Sequence, residues 1–234
     1  MKIAIVMLAF NRLGFTKIVI DNYFKTTKVL HKLLVWDNRS SDGSREWLDR
    51  VAKKKYPLRV HLSRRNVGCQ NAVRGFFAHP SYQGMDLVGK MDNDVLICDS
   101  WLENFVEAFE KVPKLQVVSA WNERNPPPYD GSKWITEKGI KLAPALKGMQ
   151  GSCWLARRSL FDKYPFTWHG YHGNWIYFSR LAWNHGQLLA YHKKVTFLTD
   201  CRQWGGDSPF PDYDYNKYYA QMQAYRGKHK ILPK

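Results

Sequence analysis

The feature that most limits how this 234-residue chain can fold is the alternation of short apolar runs with helix-period segments over its first half. Ile3 to Ala9 is almost uninterruptedly apolar, the pattern of a strand buried on both faces of a parallel sheet. Leu13 to Phe24 follows as a helix, Leu33 to Trp36 as a strand, and Ser44 to Lys54 as a helix with Trp47, Leu48 and Val51 on one face and Asp42 as its N-cap. Leu58 to Leu62 reads as a third strand, Gly68 to Phe77 as a helix and Asp86 to Met91 as a strand. Ser100 to Phe109 is a helix with Leu102, Phe105, Val106 and Phe109 at helical spacing, and Leu115 to Ala120 is a further strand. Such alternation predicts an α/β fold, a mostly parallel sheet with helices on both faces that binds its ligands beyond the carboxyl ends of the strands. Asn11, Asp37 and Asp92 all fall at predicted strand ends, so they are expected to converge on one crevice.

The second half is less regular. Asn122 to Lys133 holds Pro126, Pro127, Pro128 and Gly131 and reads as a loop and a candidate lid. Met149 to Ala156 reads as a strand, Trp175 to Trp183 as a helix, Leu188 to Leu198 as containing a strand, and Tyr213 to Tyr225 as an aromatic-rich helix ahead of a basic end. The length suits one domain. The N-terminal apolar run is too short to span a membrane and is followed by Asn11-Arg12 instead of a small-residue cleavage site. With no other spanning segment, membrane contact is expected to be peripheral and the location cytoplasmic. The four cysteines form no C-x-x-C pair, which argues against a zinc ribbon and for reduced thiols. Lys and Arg number 36 against 20 Asp and Glu, a formal charge of +16. That surplus reads either as a surface for a polyanion, nucleic acid or an anionic membrane face, or as the charge of a soluble basic protein with no such partner.

Chemistry concentrates at the strand ends. Asp92-Asn93-Asp94 places two carboxylates two residues apart just past a strand, a pattern that can hold a divalent ion against a diphosphate. Alone it is equally the composition of a solvated turn. It does not stand alone: Asn11-Arg12 ends the first strand, Asp37-Asn38-Arg39-Ser40-Ser41-Asp42-Gly43-Ser44 follows the second, and Asn66-Val67-Gly68 follows the third. In this order the motifs resemble family 2 glycosyltransferases of the GT-A fold, whose pattern is Asn-Arg, then D-x-x-S-x-D-G-S, then N-x-G, then D-x-D. The resemblance covers about residues 2–120 and implies a nucleotide-sugar-binding half there, with residues 121–234 as the acceptor-binding half of the same domain. It further implies that Asp37 binds the uracil or ribose of a UDP-sugar, with Ala9, Asn11 and Arg12 lining the base pocket. Asn66 would shape the donor cleft, Asp92 and Asn93 would contact the donor, and Asp92 and Asp94 would hold Mn²⁺ or Mg²⁺, Asp94 foremost.

The second half departs from the family pattern. An acidic pair is expected ahead of an arginine; Arg180 matches the arginine, but Gly173-Asn174 stands where the pair belongs, and no carboxylate occurs between Lys163 and Thr199. The attacking hydroxyl still needs a base. His172 is the leading candidate and Asp207 the second; the bland alternative is that His169 and His172 are structural or bind acceptor only. The family often carries a metal-binding histidine after its last strand, and Asp200 stands about there. Aromatics make up 15% of the chain and many in the second half neighbour cations. Most are expected in the core; the others suit stacking against nucleic acid. The favoured acceptor is therefore DNA carrying a hydroxymethylated pyrimidine, flipped into the site, with Lys53 to Lys55, Arg64-Arg65, Arg157-Arg158, Lys193-Lys194 and the tail from Arg226 as phosphate clamps. The alternatives are transfer to a lipid-linked or surface glycan at a membrane, and a non-catalytic nucleic-acid or carbohydrate-binding module.

Overall fold

A computed structural model describes residues 1–122, 129, 132–146, 148–164, 174–200, 207–214 and 216–221. In chain order the elements are β1 (Ile3–Ala9), α1 (Leu13–Thr26), β2 (Lys32–Asp37), α2 (Ser44–Lys54), β3 (Leu58–Leu62), α3 (Gly68–Ala78), β4 (Leu87–Asp92), β5 (Val95–Ile97), α4 (Trp101–Lys111) and β6 (Leu115–Asn122). They continue with β7 (Ile135–Glu137), β8 (Ile140–Pro144), β9 (Cys153–Arg157), α5 (Ser159–Lys163), α6 (Asn174–Asn184) and β10 (Leu188–Thr199). Among the described residues the strands form one sheet in the order β3-β2-β1-β4-β9-β6-β10-β8-β7, with β5 paired to β10.

The sheet is parallel across β3-β2-β1-β4, as the alternation of strand and helix predicts. Beyond β4 it is mixed: β9 enters antiparallel between β4 and β6, β6 and β10 run parallel, and the β7–β8 hairpin adds antiparallel to β10. All seven residues of β1 are buried. Its alternate side chains feed two cores. Ile3, Ile5, Met7 and Ala9 pack with Phe15, Val19 and Ile20 of α1 and Leu102 and Phe105 of α4. Ala4, Val6 and Leu8 pack with Val73 and Phe76 of α3 and Leu160 and Phe178 of α5 and α6. A strand buried on both faces needs apolar residues at every position, which is why β1 was legible as an apolar run.

Several local expectations are corrected. The N-cap of α2 is Gly43, in the left-handed region at φ 88°, and not Asp42. Asp42 sits one residue earlier and accepts from the Ser44 backbone N–H at 3.1 Å and from the Leu13 N–H at 2.8 Å, so it ties the starts of two helices together. The ninth strand starts at Cys153, so Met149 to Ser152 is an irregular approach to it. The β7–β8 hairpin escaped notice because its turn is Lys138-Gly139, both at positive φ, where a glycine preceded by lysine gives a weaker signal than Asn-Gly. Of the proline loop, residues 123–128 and 130–131 lie outside the described residues. Cys69, Cys98 and Cys153 are free thiols; Cys201 lies outside the described residues. Among the described residues no helix is long and apolar enough to cross a membrane.

Candidate active site

Strand register builds the crevice. Leu8 of β1 is level with Asp92 of β4, and Ala9 with Asp37 of β2, so three chain segments leave the sheet side by side. The chain after β1 then passes through two consecutive left-handed residues, Asn11 (φ 51°) and Arg12 (φ 59°). Non-glycine residues there cost about 1 kcal/mol each and must be held by their surroundings. Ser40 and Ser41 do the holding: Asn11 N–H donates to Ser40 Oγ at 2.8 Å, and Ser41 N–H donates to Asn11 Oδ1 at 2.8 Å. The turn aims Arg12 along the sheet edge. Its guanidinium meets Asp94 Oδ2 at 3.1 Å and donates to Asn93 Oδ1 at 3.2 Å, with the Tyr218 ring centroid 4.6 Å away. Burial opposes the arginine's charge, but Asp94, Tyr218 and Tyr213 more than offset it and raise its pKa. Asn93 is buried and donates to Thr16 Oγ1 at 2.9 Å, so the middle residue of the triplet fixes the turn to α1.

Asp37 is fully buried. Its carboxylate accepts from the Arg39 and Ser40 backbone N–H groups, each at 3.1 Å, and from Arg45 at 2.7 Å. Arg45 also donates to Ser63 O at 2.9 Å, which joins the loops after β2 and β3. Asp37 thus organises the loop around the crevice. Asn66, expected to shape the cleft, bonds the backbone of its own loop: its Oδ1 accepts from Gly68 N–H at 2.9 Å, while Asn38 Oδ1 takes the Val67 N–H at 2.9 Å. Arg45 and Asn38 were not singled out from sequence; Arg45 lies eight positions after Asp37 and only the fold makes them neighbours.

At the end of β4, Asp92 Oδ1 lies 2.6 Å from the Nζ of Lys90. Burial alone would lower the Lys90 pKa, yet the facing Asp92 carboxylate holds it above its ordinary value. Asp94 has 23% of its side chain exposed and faces Arg12. Asp200, just past β10, is buried. It lies against the Tyr213 hydroxyl, whose pKa is pushed up to about 12, chiefly by burial and further by Asp200. Among the described residues no group of three or more His, Cys, Asp or Glu side chains is gathered closely enough to hold a metal ion. Asp200 is not gathered with Asp92 and Asp94 in such a group. The hard carboxylate oxygens at the strand end still fit Mn²⁺ or Mg²⁺, provided that diphosphate and water complete the coordination.

The segment after β10 closes one side of the crevice. Phe210 stacks on Phe15 at 4.2 Å, Tyr213 meets Phe15 edge-on, and residues 216–221 form a helical turn. From that turn Gln221 Oε1 accepts from Asn11 Nδ2 at 2.8 Å. Between this strap, Asn11-Arg12 and Ser41-Asp42 lies a cavity of about 470 Å³. The aromatic richness of the tail signalled a helix; its docking on Phe15 and Arg12 carried no sequence signal. Asp207 is exposed at the start of the strap, and Arg180 is exposed on α6. His169, His172 and Gly173 lie outside the described residues.

The predicted cation clamps separate. Lys53 to Lys55 end α2, at the sheet edge opposite the crevice, and are exposed. Arg64 and Arg65 are exposed just past the carboxyl end of β3; Lys193 is exposed over the Trp121 ring at 4.1 Å, and Lys194 is exposed near Glu107 of α4. Arg157 is not a clamp: its guanidinium donates to the backbone carbonyls of Leu115, Phe109 and Pro113 and so caps the C-terminal end of α4. Arg158 pairs with Asp162 at 2.6 Å. The tail from Arg226 lies outside the described residues.

This arrangement is that of a recognised enzyme family. The model of glycosyl transferase family 2 matches residues 4–165, more than half of the chain, and the chain belongs to that family. The match runs past Ala120, where the motif resemblance stopped, and takes in β9 and α5. No curated protein matches the sequence. Among solved structures, GalNAc-T7 with UDP, GalNAc and Mn²⁺ superposes with a TM-score of 0.65 at 13% identity, over 84% of this chain and 43% of that one. Residues 1–349 of S. aureus TarS in complex with UDP-GlcNAc give 0.67 at 12% identity, over 100% of this chain and 68% of that one. The Pyrobaculum calidifontis mannosyltransferase PcManGT with GDP-Man and Mn²⁺ gives 0.66 at 15%, over 97% and 61%. At such identities the likeness establishes the GT-A fold. The chain spans less than half the length of GalNAc-T7.

Proposed function

We propose that this chain is a metal-dependent glycosyltransferase that moves a sugar from a nucleotide sugar, a UDP-sugar by default, to a hydroxyl of DNA carrying a hydroxymethylated pyrimidine. The observation that carries the donor half of this reading is the meeting of Asn11-Arg12 with Asn93-Asp94 at the carboxyl edge of the sheet. Arg12 supplies a guanidinium suited to phosphate oxygens, and Asp94 supplies a carboxylate for the ion. When bound, Mn²⁺ or Mg²⁺ neutralises charge building on the leaving diphosphate. Ala9 and Asn11 line the base pocket, Asp37 and Asn66 hold its walls, and Asp92 faces the donor. Solved neighbours of this fold bind UDP, UDP-GlcNAc or GDP-Man, two of them with Mn²⁺, which supports the donor and ion chosen.

His172 is the proposed base that takes the proton of the attacking hydroxyl, with Asp207 second. Replacing them by Ala and Asn respectively should lower turnover by about tenfold or more with UDP binding retained. If neither variant does so, the base lies elsewhere.

A second reading, transfer to a lipid-linked or surface glycan at a membrane, is favoured by one observation. With Arg157 consumed in the fold and Lys53 to Lys55 on the far edge, fewer cations flank the crevice than the sequence promised. One experiment separates the readings. The protein is incubated with Mn²⁺ and a panel of UDP-sugars, first alone and then with hydroxymethylcytosine DNA, plain DNA or anionic vesicles. A sugar-sized mass gain on the modified nucleoside is the expected result. Donor hydrolysis without DNA modification, together with vesicle binding, moves the assignment to the glycan. Absence of any nucleotide binding leaves a binding module on a transferase fold.

A further inference from the structure

Lys90 is a lysine where the sheet has no room for an unpaired charge. It lies on β4 two residues before Asp92, and on a strand that spacing points both side chains to the same face. Its side chain is 7% exposed. The ammonium lies 2.6 Å from Asp92 Oδ1 and donates to Gly151 O at 2.6 Å. A second bond runs parallel to these, from the Asp92 backbone N–H to Ser152 O at 2.9 Å. The turn that receives both is itself clamped. Trp175 Nε1 donates to Gln150 O at 3.1 Å, and the Trp175 ring would lie 3.2 Å from a Cβ added at Gly151. That indole stacks on Trp154 of β9 at 4.0 Å and 4°.

A buried ammonium keeps its charge only beside a counter-charge, and removing that partner is heavily penalised. Asp92 is the carboxylate in contact, so one of its oxygens is committed to Lys90 whatever else enters the crevice. Asp94 is placed differently. Its partner Arg12 reaches it from across the crevice, and a guanidinium can pass to the phosphates of an incoming donor while the carboxylate passes to the ion.

We propose that Lys90 is a positioning residue that withholds Asp92 from the metal and fastens it to the Gln150–Ser152 turn, leaving Asp94 as the protein's carboxylate ligand. This rests on the nucleotide-sugar reading above. Lys90 thereby couples the donor carboxylates to β9 and α6, the elements that carry the acceptor side. It also gives a reason for a lysine at a strand position otherwise filled by apolar residues.

The test is Mn²⁺ binding, followed by electron paramagnetic resonance on the full chain with UDP present, for wild type, Asp94→Asn, Asp92→Asn and Lys90→Met, each first checked for folding by circular dichroism. Asp94→Asn should weaken Mn²⁺ binding by about 30-fold or more, while Asp92→Asn should change it by less than about threefold. Lys90→Met should tighten it, because Asp92 is released to the ion, and the gain should vanish when Asp92→Asn is added to Lys90→Met; a gain that came only from removing the lysine's charge would survive that second substitution. The proposal is overturned if Asp92→Asn weakens binding as much as Asp94→Asn, or if folded Lys90→Met fails to tighten it. Should Lys90→Met not fold, Lys90→Gln takes its place with the same expected gain and the same overturning result. Wild type that binds no Mn²⁺ with UDP present would overturn the nucleotide-sugar reading itself, and this proposal with it.

Discussion

His192 shows how much a single side chain can contribute at the residue scale. It sits on β10 at 1% exposure against Phe105, and neither ring nitrogen has a hydrogen-bond partner among the described residues. Burial, with Lys194 nearby, lowers its pKa to about 4. The unfolded chain takes up this proton near pH 6.5, whereas the folded chain refuses it until about pH 4. Stability is therefore full above pH 6.5 and falls as pH drops towards 4, by about 3 kcal/mol at most. His31, lowered by burial as well, acts in the same direction. Urea denaturation at pH 7.5 and 5 should show a smaller loss for His192→Leu than for wild type; equal losses would refute this. Gly89 makes a second residue-scale case. A Cβ there would lie 2.7 Å from the Trp154 backbone oxygen, so Gly89→Ala should cost about 2 kcal/mol or more in the same assay. Legibility differed from residue to residue. Asn11, Asp37, Asn66 and Asp94 could be named in advance because short motifs fix their places at strand ends. The partners Arg45, Tyr213 and Gln221 could not, because their proximity is made by tertiary packing across distant segments.

At the scale of elements, the parallel half was readable throughout, while in the mixed half β6, β9 and β10 were read as strands and β5, β7 and β8 were not, for a physical reason. Each crossover needs a helix of its own, so β1 to β4 announce themselves by a change of hydrophobic period. β5 and β7 span Val95–Ile97 and Ile135–Glu137, three residues each, too short to establish any period. The strap over the crevice belongs to the same class of feature. Its anchor is Phe210, which is 5% exposed on Phe15. Phe210→Ala should weaken docking of the strap by about 3 kcal/mol while the sheet keeps its own core. Limited proteolysis should then cut within residues 207–221 much faster than in wild type, with the main melting transition nearly unmoved. An unchanged cleavage rate would mean that the strap is held by other contacts.

For the whole molecule, the surplus of +16 separates into cations that face outward and cations spent inside. If DNA is the acceptor, Arg64→Ala and Lys193→Ala should each reduce the slope of log affinity against log salt by about 0.9. Arg157→Ala should leave that slope alone and lower stability by about 2 kcal/mol, since it removes the donors that satisfy the carbonyls of Phe109, Pro113 and Leu115 between the end of α4 and the start of β6. The reverse pattern would place Arg157 on the DNA surface. The place of β9 has a consequence for how the chain is made. β4 and β6 do not touch; the strand that joins them, Cys153–Arg157, is synthesised after both. While only the first half has been made, β4 presents an open edge and β6, whose partners β9 and β10 both come later, has no strand beside it. Both wait for β9 to join them, so the native sheet forms only when translation has passed well beyond the proposed donor residues.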